Sequence, residues 1–575
     1  FLEAIQIFKG RTLSYRALDV EQIGYVYEGL LERTVIRSPD VTLELDATRS
    51  AKKPWLLLGE LESAKLDGAA AVNKLLKERT GSSASRITNN LEKEVSEAES
   101  EKLLLACQNN AELRDRIKPY YHLLRTDAWD NPLLYLKDAF IVATGADRRE
   151  TGTHYTPKSL TEAIVLETLE PIVYIGPPEG KDRSDWKLKS PAELLNLKVC
   201  DPAMGSGAFL VQVCRYLSER LSESWLIAEE SNKCITSEGI VLNVVSDQDL
   251  LPKDTEERLM IARRLVAEHC LYGVDINPLA VELAKLAIWL VTLSKGRPFG
   301  FLDHNLKAGN SLLGVHDMDQ LYYLNMQPEG MATGGDAGKQ LFAQGIETAI
   351  KEALALRAEI RIHPVRDIRD VKAMTHLNEQ VQALLEMPES VADALIGEAL
   401  VAADKPSNLK SALMRLSLTA GEVINKPDNV PLFKKQSAKL LATDVDRGMP
   451  RKAFHWALAF QEVFSTNCGG FDAIVGNVPF LGGSRLTGAM GTCFRNYMVN
   501  FLAMGKKGNA DLAAYFFLRA YQLLRHGGVF GLISTNTIAE GDTRQVGLEE
   551  ILSKQDSIIY SAYSSEVWPG NAAVI

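Results

Sequence analysis

From residue 197 onward the chain alternates short apolar strands with helices, and this alternation limits the fold more than any other feature. Leu197–Asp201 reads as a strand ending in a Gly-rich turn, and Gly207–Leu221 as the helix that follows. Leu271–Ile276 is a second strand, and Pro278–Leu293 a second helix with proline near its start, where the missing N–H costs nothing. Leu306–Asn310, Phe471–Asn477, Val529–Ser534 and Ser557–Ala562 read as further strands, with a helix over Asp511–His526. Strand–helix repetition of this kind predicts an α/β fold with a parallel sheet and helices on both faces. Ligands of such sheets sit at the carboxyl ends of the strands.

Around this core the sequence predicts a mostly helical region over 1–150 and a charged helical insertion over 316–465. The strand–helix pattern is thereby divided into 151–315 and 466–575. In the first region Ile23, Val26, Tyr27, Leu30 and Leu31 recur at helical spacing, and Leu91–Leu124 reads as a second helical stretch. Gly330–Lys339 reads as a loop; Thr333 and Gln340 occupy positions a phosphate loop would give to Gly and Ser/Thr. Pro39-Asp40 with Glu60-Leu61-Glu62 faintly matches a metal-nuclease pattern. However, Ser63 follows where a lysine is expected, and a strand–loop–helix of the scaffold explains the segment as well.

The net charge of −10 argues against a chain that coats nucleic acid by charge alone, but leaves room for a local basic cleft. Seven cysteines without a Cys-x-x-Cys give no zinc or redox signature and fit a reduced, cytoplasmic protein with no metal. The longest apolar run, Leu283–Leu293, is interrupted by Lys285 and is too short to span a bilayer. The chain opens on Phe1 and stops in an apolar Ala-Ala-Val-Ile, which reads as a piece of a longer protein.

Three strand ends carry the chemistry. Asp201-Pro202-Ala203-Met204-Gly205-Ser206-Gly207-Ala208-Phe209 joins strand to helix. Its glycines permit a tight bend and close approach of a ligand to the backbone, and Asp201 offers a carboxylate suited to an ammonium group or hydroxyls. Leu210 stands where a dinucleotide fingerprint needs glycine, so a pyrophosphate is disfavoured. A tight turn without a ligand is the competing reading. Asp275, in Gly273-Val274-Asp275-Ile276-Asn277-Pro278, can chelate ribose hydroxyls or merely cap the next helix. The spacing between these two sites is longer than usual, which predicts a surface insertion over 222–268. Asn477-Val478-Pro479-Phe480 offers a side-chain acceptor, a backbone carbonyl and a flat apolar ring, as an exocyclic amine on a planar base requires. A proline loop over a buried phenylalanine is the plain alternative.

Taken in order, with Thr153-His154-Tyr155-Thr156-Pro157 upstream, these segments resemble the gamma class of S-adenosylmethionine-dependent N6-adenine DNA methyltransferases. Leu302–Leu312 resembles the segment whose polar residue, here Asn310, contacts the cofactor's adenine, and Asp511–Ala520, Val529–Asn536 and Trp568-Pro569-Gly570 resemble the large restriction and phage-defence members, type IIG and BREX- or DISARM-like. The resemblance implies a Rossmann-like class I methyltransferase sheet. It also implies methyl transfer from S-adenosylmethionine to N6 of a flipped adenine in duplex DNA, for self marking in restriction or defence, alongside other defence-system subunits. By position, Tyr155, Thr156 and Pro157 would line the methionine and sulfonium end of the cofactor. Asp201, Pro202, Ala203, Gly205, Gly207 and Phe209 would hold its methionine portion, Asp275 and Ile276 the ribose, and Asn310 with Ser311 the adenine. Asn477 and the carbonyl of Val478 would accept the target's N6 protons, Pro479 would hold residue 478 extended, and Phe480 would stack on the base.

Val478 departs from the family's proline. The carbonyl survives but the locked φ is lost, which predicts weakened turnover with cofactor binding kept. Arg485, Arg495, Lys506, Lys507, Arg519 and Arg525 follow the loop as phosphate-contact candidates, or as a solvated helix face. The alternatives are a catalytically silent cofactor- or DNA-binding subunit of a defence complex, and a methyltransferase acting on RNA adenine or protein glutamine. A target-recognition domain is expected beyond this chain.

Overall fold

The computed structural model describes residues 7–8, 11–12, 33–48, 51, 54–127, 129–144, 156–243, 250–293, 300–327, 339–363, 365, 367–425, 429–445, 450–465, 469–506, 508–554 and 557–563. The expected helix over 23–31, Thr153 to Tyr155, most of the 330–339 loop, Cys468, Lys507 and the 568–570 segment lie outside them. The chain divides into two compact units, one of residues 28–148 and one of the remainder.

The 28–148 unit mixes helices with short strands. Thr42–Glu44 is the middle strand of an antiparallel trio with Trp55–Leu57 and Leu134–Tyr135, and Arg33–Arg37 pairs with Phe140–Thr144. The expected stretch over 91–124 is broken by its own capping residues. The Ser96/Glu99 capping box starts one helix, the Asn110 side chain caps the next, and Pro119 opens a 3-10 turn. Glu62 is held by Arg116 at 2.7 Å and Glu60 by Arg79 at 3.3 Å, so these two of the nuclease-like acids serve as ion-pair partners, while Asp40 accepts from the Val41 N–H. Among the described residues no three or more His, Cys, Asp or Glu are grouped to hold a metal, and no helix is long and apolar enough to cross a membrane.

The larger unit is built on five strands. In chain order its elements are α1 (Lys158–Val173), β1 (Val199–Asp201), α2 (Ala208–Glu230), α3 (Thr255–His269), β2 (Leu271–Asp275), α4 (Pro278–Thr292) and β3 (Leu306–Ala308). Then come α5 (Ala343–Ile362), α6 (Ile368–Val401), α7 (Leu409–Asn425), α8 (Val430–Leu441), β4 (Phe471–Asn477), α9 (Leu512–Leu523) and β5 (Leu524–Ile533). The sheet order is β3-β2-β1-β4-β5, every neighbouring pair parallel. The order reverses at β1 and β4, which is where a doubly wound sheet opens its ligand crevice.

Side-chain alternation covers both faces. Val199, Leu271, Ala473 and Val475 pack against α1 to α4, whereas Cys200, Tyr272, Val274 and Ile474 pack against Phe454, Trp456, Phe460 and the end of α9. Strands buried on both sides explain the continuous apolar runs in the sequence.

Three expectations are corrected. Residues 222–268 are not a surface insertion. The C-terminal part of α2 and all of α3 lie there, joined through a short hairpin, and Trp225, Ala262, Val266 and Ala267 are buried in the sheet's core. Arg258 and Arg264 disguised α3 as a polar segment; both are buried, Arg258 paired with Glu229 and Arg264 donating to the Val365 carbonyl. Ser557–Ala562 forms no strand: Ile558, Ile559 and Tyr560 are exposed, and an apolar pattern without a partner edge gains nothing from extension. The charged segment after β3 is helical through α5 to α8, but its end belongs to the sheet, because Phe454, Trp456 and Phe460 cover one face.

Candidate functional site

The carboxyl ends of β1, β2 and β4 lie side by side at one edge of the parallel sheet. After β1 the chain turns through Gly205 (φ +53°) and Gly207 (φ +85°), left-handed conformations that favour glycine. At Gly207 a side chain would also meet Ala284 of α4 at 3.1 Å. The turn is held by Asp275 at the end of β2. Its Oδ2 accepts from the Gly205 N–H at 2.9 Å and its Oδ1 from the Asn277 N–H at 2.8 Å. Burial pushes the Asp275 carboxyl up to about 6 despite these two donors.

Asp201 is almost wholly buried, at 1% exposure. Its Oδ1 accepts from the Ala203 N–H at 3.0 Å, while Oδ2 is buried without a partner among the described residues. Burial foremost, and the nearby charge of Asp275, hold its carboxyl well above the usual range. A buried and a half-buried carboxyl at neighbouring strand ends favour a ligand that brings positive charge and hydroxyl donors.

Ser311 donates to the Pro202 carbonyl at 2.5 Å, tying the segment after β3 to the Gly-rich turn. Asn310 shapes that segment: its side chain accepts from the Leu312 N–H and its own N–H donates to the Lys452 carbonyl. Trp456 donates to the Ser311 carbonyl at 3.0 Å, and the Phe454 N–H to that of Leu313 at 2.7 Å. No motif in 452–456 marks this supporting role. Ile276 is exposed beside Asp275, whereas Phe209 is a core residue at 2% exposure, facing the packed side of α2 rather than the crevice.

Asn477 ends β4. Gly476 lies so close to β1 that a side chain there would stand 2.8 Å from Asp201 Oδ1. The Asn477 amide donates through Nδ2 to the hydroxyl of buried Thr156 at 3.2 Å, and its Oδ1 is buried with no partner among the described residues. Thr156 and Pro157, which caps α1, are thereby brought from 321 residues away to the end of β4. Val478 is fully buried in the same apolar cluster as Leu481 and Leu512, while Pro479 and Phe480 are half-buried.

The basic candidates separate. Arg485 is exposed on the helix Gly483–Met490, Arg495 is half-buried, and Lys506 pairs with Glu550. Arg519 is no phosphate contact. It is 1% exposed and donates to the Leu312 carbonyl, and burial pulls its guanidinium down to about 10. Arg525 is likewise engaged, with Asp472 at 2.6 Å. Helix-forming neighbours made both look like a solvated face.

This arrangement can bind a cationic, hydroxyl-bearing ligand at the β1 and β2 ends and present a fixed acceptor beside it at the β4 end. Known proteins resemble this chain over much of its length. A protein of Methanocaldococcus jannaschii named as a type II restriction enzyme and methyltransferase is 22% identical over 428 residues. That match covers 68% of this chain but only 32% of the relative, so the chain spans about a third of that protein's length. The model of the Eco57I restriction-modification methylase family matches residues 269–564, more than half of the chain, from β2 past the Asn477 loop. The chain belongs to the Eco57I restriction-modification methylase family.

Proposed function

We propose that this chain transfers a methyl group from S-adenosylmethionine to N6 of an adenine flipped out of duplex DNA, in restriction or phage defence in the cytoplasm. The observation that carries the reading is the Asn477 amide: one end is fixed on Thr156, and the other is a buried, unpartnered acceptor beside the Asp201 strand end. A buried acceptor left without a donor costs about 1–3 kcal/mol, and a target amine would relieve it.

The residues present fit the cofactor. Among the described residues Asp201 Oδ2 lacks a donor, and Asp275 stands at the next strand end. Asp201 would take the ammonium end, Asp275 the ribose hydroxyls, and the Asn310–Ser311 segment the adenine. When bound, S-adenosylmethionine supplies an electrophilic methyl on a sulfonium. The chain's own work is positional. Asn477 Oδ1 and the Val478 carbonyl accept hydrogen bonds from the two N6–H groups, drawing the amine's lone pair out of ring conjugation, and the surplus proton passes to water once the methyl has moved. Phe480 stacks on the base, recovering about 1–3 kcal/mol of the unstacking cost. Fixed acceptors aimed at the developing charge supply most of the rate. Exposed Arg485 is the foremost phosphate contact in this reading. The division into an N-terminal region, cofactor half, helical insertion and catalytic half is part of the same proposal.

A silent, binding-only subunit is favoured by one feature, Val478 in place of the family's proline. Transfer of labelled methyl to mixed duplex DNA separates the two. Incorporation establishes the enzyme, whereas cofactor binding without incorporation selects the silent subunit.

A further inference from the structure

The Asn477 loop is anchored at its far end by a residue that sequence patterns left without a role. Leu481 follows Phe480, and its N–H donates to Asp511 Oδ1 at 3.1 Å. The same oxygen accepts from the Ala513 N–H at 2.9 Å, and the Leu512 N–H donates to the Leu481 carbonyl at 3.0 Å. One carboxylate oxygen thus caps α9 and also holds a segment 30 residues earlier. The backbone of Asp511 is fixed in turn by its N–H donating to the buried Thr543 hydroxyl at 3.1 Å. Two residues beyond Leu481 the strap stays close, since a side chain at Gly483 would meet the Asn509 carbonyl oxygen at 2.3 Å. An ordinary helix cap needs only the Ala513 bond. The bond to Leu481 and its return from Leu512 make a two-point clamp across the loop's exit.

We propose that Asp511 is a positioning residue for methyl transfer: its carboxylate fixes Leu481 and thereby sets where Phe480 and the residue-478 carbonyl stand. The role rests on the proposed adenine methylation. A shift of about 1 Å at a reacting group can cost on the order of 100-fold in rate. The clamp therefore acts on turnover and not on cofactor capture at β1 and β2. Asn at 511 keeps an acceptor oxygen for both N–H groups, whereas Ala keeps none.

The test compares the unaltered chain, Asp511→Asn and Asp511→Ala. It measures methyl transfer to duplex DNA, cofactor affinity by calorimetry, and hydrogen exchange at the Leu481 amide. Asp511→Ala is expected to lower kcat on the order of 100-fold, leave cofactor affinity within about twofold, and lose protection at Leu481. Asp511→Asn is expected to restore most of both losses, which a merely destabilised fold would not do. Unaltered turnover in Asp511→Ala, or an Asn variant as slow as Ala, overturns the positioning role alone. Absence of transfer by the unaltered chain overturns the proposed function, and in that case retained Leu481 exchange protection in Asp511→Ala overturns the clamp independently.

Discussion

The turn after β1 and the loop after β4 lie at adjacent strand ends but are finished differently. In the first, backbone N–H groups of Ala203, Gly205 and Asn277 converge on Asp201 and Asp275, and Ser311 closes the turn from the side. In the second, Asn477 has one end bonded and one end open, and the loop is held at its edges by Thr156 and Asp511. The turn's backbone is held by its own bonds before a ligand arrives, with one carboxylate oxygen, Asp201 Oδ2, left open for it. A loop with a buried open acceptor completes its hydrogen bonding only with the substrate. The contrast predicts that damage to one side alters cofactor affinity, and damage to the other alters turnover.

The largest effect should come from the open acceptor. Asn477→Ala is expected to lower methyl transfer by at least about 10²–10³-fold, while a cofactor titration stays nearly unchanged. Equal loss of both would erase the distinction between the two ends. Next comes Gly207→Ala, which forces a left-handed residue against Ala284. It is expected to weaken cofactor binding by about tenfold or more and lower Tm. Gly205→Ala meets no neighbour and should cost only about 1 kcal/mol of backbone strain. Equal effects at the two glycines would break the claim that close approach to α4 shapes the turn.

The third effect is a pH dependence. Asp275 titrates near 6, above its ordinary value, so its charged form prevails only above that pH. Lowering pH through 6 should weaken cofactor affinity by up to about tenfold per pH unit, and Asp275→Asn should flatten the profile. An unchanged profile in that variant would assign the titration elsewhere. The smallest effect is at Val478. Val478→Pro restores a fixed φ and should raise kcat about twofold to fivefold with no change in cofactor affinity. Equal rates would show that Pro479 and the buried valine already hold the carbonyl.

Much of this contrast was legible in the sequence, because strand, Gly-rich turn and helix follow one another locally at 199–209 and 271–292. The pairing of Asn477 with Thr156 was not, since nothing in either segment encodes a contact spanning 321 residues. The buried faces of α3 and of Arg519 were missed for a common reason. Charged side chains that satisfy themselves on backbone carbonyls and ion pairs look, as letters, like solvent-facing ones. Ser557–Ala562 erred the other way, because apolar letters promised a strand where no partner edge is met.

The most direct measurement is the product itself. The unaltered chain and Asn477→Ala are incubated with labelled S-adenosylmethionine and mixed duplex DNA, and the DNA is digested to nucleosides. The account predicts label in N6-methyladenine from the unaltered chain alone, with both proteins binding the cofactor equally. Label in another nucleoside, or equal label from both proteins, would contradict it.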